Sequence, residues 1–174
     1  MKLEGGCYCG KVRYVSEGEP TLNAQCHCRE CQYISGGSPN LFLLMPADGF
    51  SYTKGSPKQF TRSDLERAVT REFCAECGTH IITRRPGLKA VILKVGTLDD
   101  PSLFGGPQMA IYAIDKQAFH HIPDAPPCFR SDILVWRDGA LYPLAAPRAA
   151  PTDNRATRSR RLVADFFLAN AGLG

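Results

Sequence analysis

The sequence lacks the long apolar runs that membrane-spanning segments need. No stretch of the 174 residues approaches the roughly 18 consecutive apolar residues that cross a bilayer. The first ten residues, MKLEGGCYCG, contain no apolar segment typical of a secretory signal. We therefore expect a cytoplasmic protein that makes no use of a membrane. In a reducing compartment clustered cysteines more often bind metal than form disulfides, although a disulfide framework is the alternative.

The sequence also lacks a strong charge of one sign. Its formal net charge is +4, and part of that excess lies in the basic segment 148–161. If seven cysteine thiolates bound two Zn²⁺ ions, the bound sites would contribute −3 and leave a net charge of +1. Nearly neutral proteins lack the basic surface that nucleic acids require, so we expect no nucleic-acid partner.

Turn-forming residues are plentiful and predict short strands rather than long helices. The chain contains 13 prolines and 16 glycines. Val12 and Tyr14 alternate with Lys11 and Arg13, which is the period of a half-buried strand. Further strands are predicted at residues 41–45, 50–53, 58–61, 68–73, 90–98 and 109–114.

The composition changes at about residue 147. Residues 147–158 are polar and contain proline, which indicates a linker, and residues 159–171 place apolar side chains at helical spacing. We therefore expect one domain at 1–146, followed by a linker and a short amphipathic C-terminal helix within 147–174. The apolar face of that helix would pack on the domain or on a second copy of the chain, giving a homo-oligomer.

Cysteine carries the strongest local signal. Cys74 and Cys77 are separated by two residues and followed by Gly78, as in turns that hold one tetrahedral zinc with two thiolates. Gly78 suits a turn that needs a positive φ. Two more ligands must come from elsewhere, and Cys7 with Cys9 can supply them.

A second group, Cys26, Cys28 and Cys31, offers three sulfurs within six residues. Three protein ligands leave the fourth tetrahedral position open, as in reactive zinc sites. Two alternatives remain: a single four-thiolate site with idle thiols, or a structural site closed by His27, His80 or Cys128. Cys128, isolated between Pro127 and Phe129, is expected to be a small apolar residue rather than a ligand.

The ordered motifs resemble a known family. Gly6-Cys7-x-Cys9-Gly10, Cys26-His27-Cys28-x-x-Cys31, Arg71-x-Phe73-Cys74-x-x-Cys77-Gly78-Thr79 and residues 95–101 (VGTLDDP) are similar to segments of the glutathione-dependent formaldehyde-activating enzymes, a family that includes centromere protein V. The resemblance covers roughly residues 3 to 130.

The resemblance implies a mainly β zinc fold of short antiparallel sheets, the β-tent, with two Zn²⁺ ions. It implies one structural zinc and one catalytic zinc, whose ligands are respectively Cys7, Cys9, Cys74 and Cys77, and Cys26, Cys28 and Cys31. The implied activity is that of a carbon–sulfur lyase, joining glutathione, or a similar small thiol, to formaldehyde, a small aldehyde, as S-hydroxymethylglutathione. The alternatives are a non-catalytic protein that binds glutathione or its adducts, and a structural zinc domain for protein contacts.

Side chains near the cysteines supply further candidates. The developing alkoxide of formaldehyde needs a general acid, for which His27 and His80 are candidates. Either histidine could instead only donate a hydrogen bond to a cysteine sulfur. Arg29 and Arg71 are candidates for binding the glutathione carboxylates, or for balancing thiolate charge. No motif includes His120 or His121, which we expect at the surface.

Overall fold

The computed structural model describes residues 1–123, and beyond them the backbone of two short strands. The strands are β1 Lys2–Gly6, β2 Arg13–Glu17, β3 Leu22–Cys26, β4 Asn40–Pro46, β5 Phe50–Lys54, β6 Lys58–Thr61, β7 Thr70–Phe73, β8 His80–Arg84, β9 Ala90–Lys94, β10 Met109–Ile111, β11 Leu134–Arg137 and β12 Ala140–Pro143. One short α-helix, α1, spans Arg29–Ile34, and 3-10 turns cover Val95–Thr97, Pro101–Phe104 and Ala113–Asp115. The prediction of a mainly β fold is confirmed.

The chain forms two compact units. The first comprises Met1–Ala24 and Leu41–Pro107, and the second comprises Gln25–Asn40 and Gln108–Gly174. The predicted boundary at residue 147, the C-terminal helix and Cys128 lie outside the described residues and stay predictions. Within the described part of the chain, no helix is long and apolar enough to cross a membrane.

The first unit holds two antiparallel sheets. The smaller has the order β1-β2-β5, and the larger places β3, β4, β9, β8, β7 and β6 side by side. Leu3 and Gly5 of β1 are buried while Lys2 and Glu4 are exposed, the alternation of a strand with one face on the core. In the second unit β11 pairs with β12.

The core of the first unit includes two of the cysteines. Cys7 and Cys74 are 5% and 1% exposed, and both belong to the main cluster of buried side chains. The apolar members of this cluster include Leu3, Tyr14, Leu43, Met45, Ile81, Ile82, Val91 and Leu93. Because the two cysteines are part of this packing, a metal ion bound by their sulfurs would contribute to the stability of the whole first unit.

A buried carboxylate connects three strands of the larger sheet with β5. Glu72 in β7 is 2% exposed. It accepts hydrogen bonds from the Tyr52 hydroxyl at 2.7 Å, from Gln59 Nε2 at 3.1 Å and from Arg84 Nε at 2.8 Å. Gln59 lies directly opposite Glu72 in the β6–β7 register. Both oxygens of the carboxylate therefore accept hydrogen bonds, and the positive charge of Arg84 compensates the negative charge of Glu72.

We expect Arg84→Ala to lower the free energy of unfolding by about 2 kcal/mol, because it leaves a buried carboxylate without its charged partner. Urea unfolding measures the change. Lys2→Ala is the control, since Lys2 pairs with Glu4 where both side chains are more than half exposed, and it should change stability by less than about 0.5 kcal/mol. Equal effects of the two substitutions would contradict the role given to Glu72.

Candidate metal centres

The first cluster is built by two turns of the first unit. Cys7 and Cys9 follow β1, and the turn is closed by hydrogen bonds from Cys7 N to Val12 O and from Gly10 N to Cys7 O, both 3.0 Å. Cys74 directly follows β7, and Cys77 lies in the turn that leads to β8. In that turn Gly78 N donates to Cys74 O at 2.9 Å and Gly78 has φ +73°, so the predicted need for a positive φ is confirmed.

The four sulfurs of Cys7, Cys9, Cys74 and Cys77 all lie within 4.8 Å of one another. Cys7 Sγ is 3.5 Å from Cys9 Sγ, which is 3.7 Å from Cys74 Sγ. A tetrahedral zinc with Zn–S bonds of about 2.3 Å separates its sulfurs by about 3.8 Å, whereas a disulfide needs about 2.05 Å. The spacing fits one zinc held by four thiolates, and it excludes disulfides between these pairs.

Hydrogen-bond donors lie close to two sulfurs of this cluster, those of Cys7 and Cys77. Val12 N donates to Cys7 Sγ at 3.2 Å, and the Thr79 hydroxyl lies 3.2 Å from Cys77 Sγ. The hydroxyl and the backbone of Thr79 lower the pKa of Cys77 to about 5. Tyr8 N donates to the same Thr79 hydroxyl at 3.2 Å, which orients its proton toward the sulfur. The sequence motif includes Thr79 but assigned it no role, and the structure places its hydroxyl beside Cys77 Sγ.

The second cluster lies where β3 passes into α1 in the second unit. Cys26 ends β3, Cys28 is the N-cap of α1 and Cys31 lies in the helix. Cys28 Sγ accepts from Cys31 N at 3.4 Å, as an N-cap side chain does. The three sulfurs lie within 4.8 Å of one another, so they could hold one metal ion. The neighbouring thiols Cys28 and Cys31, and then burial, raise the pKa of Cys26, a cost that metal binding would remove.

No fourth metal ligand joins the second cluster among the described residues. In residues 1–123, the His, Cys, Asp and Glu ligand atoms that come together here are those of Cys26, Cys28 and Cys31. Closure of the site by His27 or His80 is therefore not supported, and Cys128 lies outside the described part of the chain. The donor set fits a zinc with three thiolates and one position left for a further ligand.

The second unit also contains a pair of buried histidines, one of which, His27, lies between Cys26 and Cys28 in the chain. His27 is 0% exposed, and its Nδ1 is 3.0 Å from Nδ1 of His120. Burial, and after it the charges of His120 and Lys116, lowers the pKa of His27 to about 4. Nε2 of His27 is buried without a hydrogen-bond partner among the described residues. His27 was a candidate from the sequence because it lies inside the cysteine motif Cys26-His27-Cys28.

The expectation that His120 lies at the surface is wrong, because His120 is only 5% exposed, while His121 is exposed as expected. His120 follows a turn in which its own N–H donates to Gln117 O at 3.0 Å. It comes to His27 from 93 positions further along the chain, and no local pattern in the sequence marks that approach.

His80 lies in β8 of the first unit. Its Nε2 is 2.9 Å from Ile82 O and 3.1 Å from the Thr83 hydroxyl. Burial, and after it the charge of Lys94, lowers the pKa of His80 to about 3, so the ring is neutral near neutral pH. These contacts favour a role in holding β8, and the catalytic role of His80 stays a prediction.

The two arginine candidates lie in different units. Arg29 begins α1, donates to Gln32 Oε1 and places its guanidinium 5.1 Å from the ring centre of Tyr33, a cation–π contact. Arg29 and Tyr33 are both exposed. Arg71 lies in β7, opposite Phe60 of β6 and Thr83 of β8. Their binding of glutathione stays a prediction.

The fold and the two cysteine clusters define a mainly β protein with two sites that could hold zinc. Residues 2–115 match the family of the glutathione-dependent formaldehyde-activating enzymes, and the chain belongs to that family. A crystal structure of a protein from Rhodobacter sphaeroides is 18% identical, with a TM-score of 0.48, and the match covers 60% of this chain and 97% of that one. No curated protein matches the chain.

Proposed function

We propose that the chain is a zinc-dependent carbon–sulfur lyase that forms and cleaves S-hydroxymethylglutathione from glutathione and formaldehyde. Membership of the formaldehyde-activating family supports the substrate class. The observation that carries the proposal is the difference between the clusters, since four thiols could complete a tetrahedral zinc and three could not. In this proposal Cys7, Cys9, Cys74 and Cys77 hold a structural zinc, and Cys26, Cys28 and Cys31 hold a catalytic one.

The three-thiol site suits a sulfur nucleophile. Zinc bound by Cys26, Cys28 and Cys31 would keep an incoming thiol in its thiolate form near neutral pH, where a free thiol with a pKa of roughly 8.5 is mostly protonated. Three anionic sulfurs reduce the ability of the metal to polarise a carbonyl or a water molecule, so the site favours attack by sulfur over hydrolysis.

His27 supplies a place for the proton. His27 is proposed to hold the proton that the glutathione thiol loses, because it lies between Cys26 and Cys28 in the chain and its Nε2 has no hydrogen-bond partner in the described residues. The glutathione sulfur then forms a bond to the carbon of formaldehyde while the π pair of the carbonyl moves to oxygen. The oxygen takes the proton back from His27, which gives S-hydroxymethylglutathione. Atoms and charge balance, and neither an oxidant nor a reductant is needed.

Arg29 is proposed to bind a carboxylate of glutathione. It is exposed and follows the cysteine ligand Cys28 directly in the chain. Its contact with Tyr33 leaves the planar group in a defined position, which favours bidentate binding of a carboxylate. The proposal for Arg71 has no contact of this kind in support, and Arg71 stays a candidate from the motif alone.

We expect Arg29→Ala to raise KM for glutathione about tenfold with little change in kcat, since a charge-assisted hydrogen bond contributes about 1.5 kcal/mol or more. Arg67→Ala, which removes an exposed arginine in the first unit, is the matched control and should leave KM unchanged. Steady-state kinetics at varied glutathione concentration measures both. An unchanged KM in Arg29→Ala would remove Arg29 from the binding site.

The proposed activity must be tested against a spontaneous background, because formaldehyde and thiols also combine without a catalyst. Exchange NMR with ¹³C-formaldehyde and glutathione measures the rate of adduct formation with and without the protein. Exchange faster in proportion to the concentration of zinc-loaded protein supports a lyase. Binding of glutathione without faster exchange would instead indicate a binding protein, and the absence of both would indicate a structural zinc domain.

A further inference from the structure

The four cysteines of the first cluster differ in their exposure to solvent. Cys7 and Cys74 are 5% and 1% exposed and belong to the core, whereas Cys9 and Cys77 are exposed. The exposed pair contains one cysteine from each of the two turns that form the cluster. Since the oxidation of a thiolate depends on access to its sulfur, a dissolved oxidant will react with Cys9 and Cys77 before it reaches the buried pair.

The two exposed cysteines also have room to move. Cys9 is followed by Gly10 and Cys77 by Gly78, and these glycines have φ of +71° and +73°. A methyl group added to either glycine would contact nothing within 4 Å, so both turns border open space. A shift of Cys9 or Cys77 therefore displaces no packed neighbour at these glycines.

The buried cysteines are held in place by their surroundings. Cys7 Sγ accepts a hydrogen bond from Val12 N at 3.2 Å, and Cys7 N donates to Val12 O at 3.0 Å. Cys74 N donates to Thr79 O at 2.9 Å. To enter a disulfide, a sulfur must approach its partner from the 3.5–3.7 Å of this cluster to about 2.05 Å. For Cys7 or Cys74 that approach would disturb the core, whereas for Cys9 and Cys77 it would not.

Two contacts join the turns without involving sulfur. Tyr8 N donates to the Thr79 hydroxyl at 3.2 Å, and Lys11 Nζ pairs with Glu76 Oε2 at 2.7 Å. In each contact one partner comes from the turn after β1 and the other from the turn before β8. These contacts do not depend on a metal ion, so they keep the two turns together when the sulfurs change their bonding.

We propose that Cys9 and Cys77 are an oxidation site, at which hydrogen peroxide forms a disulfide between the two turns and the zinc of the first cluster is released. The inference rests on the structural zinc of the proposed function and is independent of the lyase activity. The disulfide leaves two thiolates, which hold zinc much more weakly than four. It links the same two turns that the zinc links, so the first unit keeps a cross-link after the metal has left.

The reaction needs peroxide as its only oxidant. One exposed thiolate attacks an oxygen of hydrogen peroxide, the O–O bond breaks and hydroxide leaves, which gives a sulfenic acid. The other thiolate attacks that sulfur, the S–O bond breaks and a second hydroxide leaves. The two sulfurs lose two electrons and the peroxide gains them. A dithiol reductant reverses the reaction by thiol–disulfide exchange.

The first experiment treats the full-length, zinc-supplied chain with hydrogen peroxide and blocks the remaining thiols by alkylation. Cleavage after Lys and Arg places Cys7 and Cys9 in residues 3–11, and Cys74 and Cys77 in residues 72–84. Fragmentation mass spectrometry between the cysteines of each peptide then identifies the bonded pair. We expect a disulfide between Cys9 and Cys77, and a loss of these two thiols at least about tenfold faster than that of Cys7 and Cys74.

The second experiment measures zinc and stability. A colorimetric zinc indicator should show release of about one zinc per chain in Cys28→Ser, where the first cluster is expected to be the site that keeps zinc. The oxidised wild type should melt at least about 5 °C above the reduced wild type from which a chelator has removed the zinc. A dithiol reductant should restore the thiols, and added zinc should then restore the original melting temperature.

A disulfide within either turn, from Cys7 to Cys9 or from Cys74 to Cys77, would overturn the inference, as would equal oxidation of all four cysteines. An oxidised protein that melts no higher than the chelated one would also overturn it. If the first cluster contains no zinc before peroxide is added, the proposed structural zinc fails, and the disulfide pairing still decides whether Cys9 and Cys77 are the oxidation site.

Discussion

Cys74→Ser is expected to release one zinc and to unfold the first unit. Cys74 is 1% exposed and belongs to the core cluster, its N–H donates to Thr79 O at 2.9 Å, and its sulfur lies 3.7 Å from that of Cys9. Structural zinc contributes about 10–16 kcal/mol to the folding of small zinc domains, which is as large as the whole stability of a typical domain. Loss of one of four thiolates therefore removes most of what holds the two turns together.

We expect the melting temperature of Cys74→Ser to fall by more than about 15 °C, or the variant to be insoluble. Thermal unfolding followed by circular dichroism, together with native mass spectrometry, measures stability and metal content. Cys128→Ser is the control, because Cys128 is not expected to be a ligand, and it should retain two zincs and the wild-type melting temperature. Serine is nearly the size of cysteine, so the substitution should change the packing little and act through the loss of zinc. Removal of zinc from the wild type with a chelator should therefore lower the melting temperature by a similar amount. Two bound zincs and an unchanged melting temperature in Cys74→Ser would contradict the structural role.

Cys28→Ser is expected to keep the fold but to lose metal binding at the second cluster, whereas Cys74→Ser is expected to unfold the first unit. Cys28 is the N-cap of α1, and its sulfur accepts the N–H of Cys31. A serine hydroxyl is one of the preferred N-cap acceptors, so the start of the helix is preserved. The thiolate is removed, however, and a site with two sulfurs holds zinc much more weakly than one with three.

We expect Cys28→Ser to bind one zinc, to melt within a few degrees of the wild type, and to lose at least about a hundredfold in the rate of adduct formation above background. Cys28→Ala separates the cap from the ligand, since it should lose the same zinc and about 1 kcal/mol of additional stability. Metal analysis, thermal unfolding and exchange NMR give the three quantities. A wild type with a single zinc that Cys28→Ser leaves in place would mean that the second cluster binds no metal, and the chain would then be a structural zinc domain.

The strands that the sequence predicts best are those with a clear local pattern. The predicted strand at 58–61 coincides with β6, and those at 41–45 and 50–53 lie inside β4 and β5. β3 and β8 were not predicted, because their buried residues follow one another rather than alternate. α1 was missed because six residues are too few to show a helical period and its N-cap is a cysteine thiol.

Two strands end earlier in the structure than in the ranges that their apolar residues predicted. The strand expected at 90–98 stops at Lys94, where Thr97 Oγ1 donates to Lys94 O at 2.8 Å and turns the chain into a 3-10 helix. The strand expected at 109–114 stops at Ile111, because Tyr112 adopts the left-handed conformation with φ 56°. Both ends depend on backbone geometry that apolar periodicity does not encode.

The sequence also indicated which cysteines share a cluster. Spacing grouped Cys26, Cys28 and Cys31 because they are close along the chain, and it offered Cys7 and Cys9 as partners of the later pair, which the structure brings together. The position of His120 could not be predicted in the same way, because 93 residues separate it from His27 and only the folded second unit places the two rings in contact.

The most direct test of the account is zinc-edge X-ray absorption, before and after addition of glutathione, on protein supplied with two equivalents of zinc. Seven cysteine sulfurs on two zincs give an average of about 3.5 sulfurs per zinc. The account predicts a rise to about 4 when the glutathione sulfur enters the fourth position of the Cys26, Cys28 and Cys31 site, and no change in Cys28→Ser, in which only the four-cysteine site keeps its zinc. An average that stays at about 3.5 when glutathione is saturating would contradict the open position and, with it, the proposed lyase.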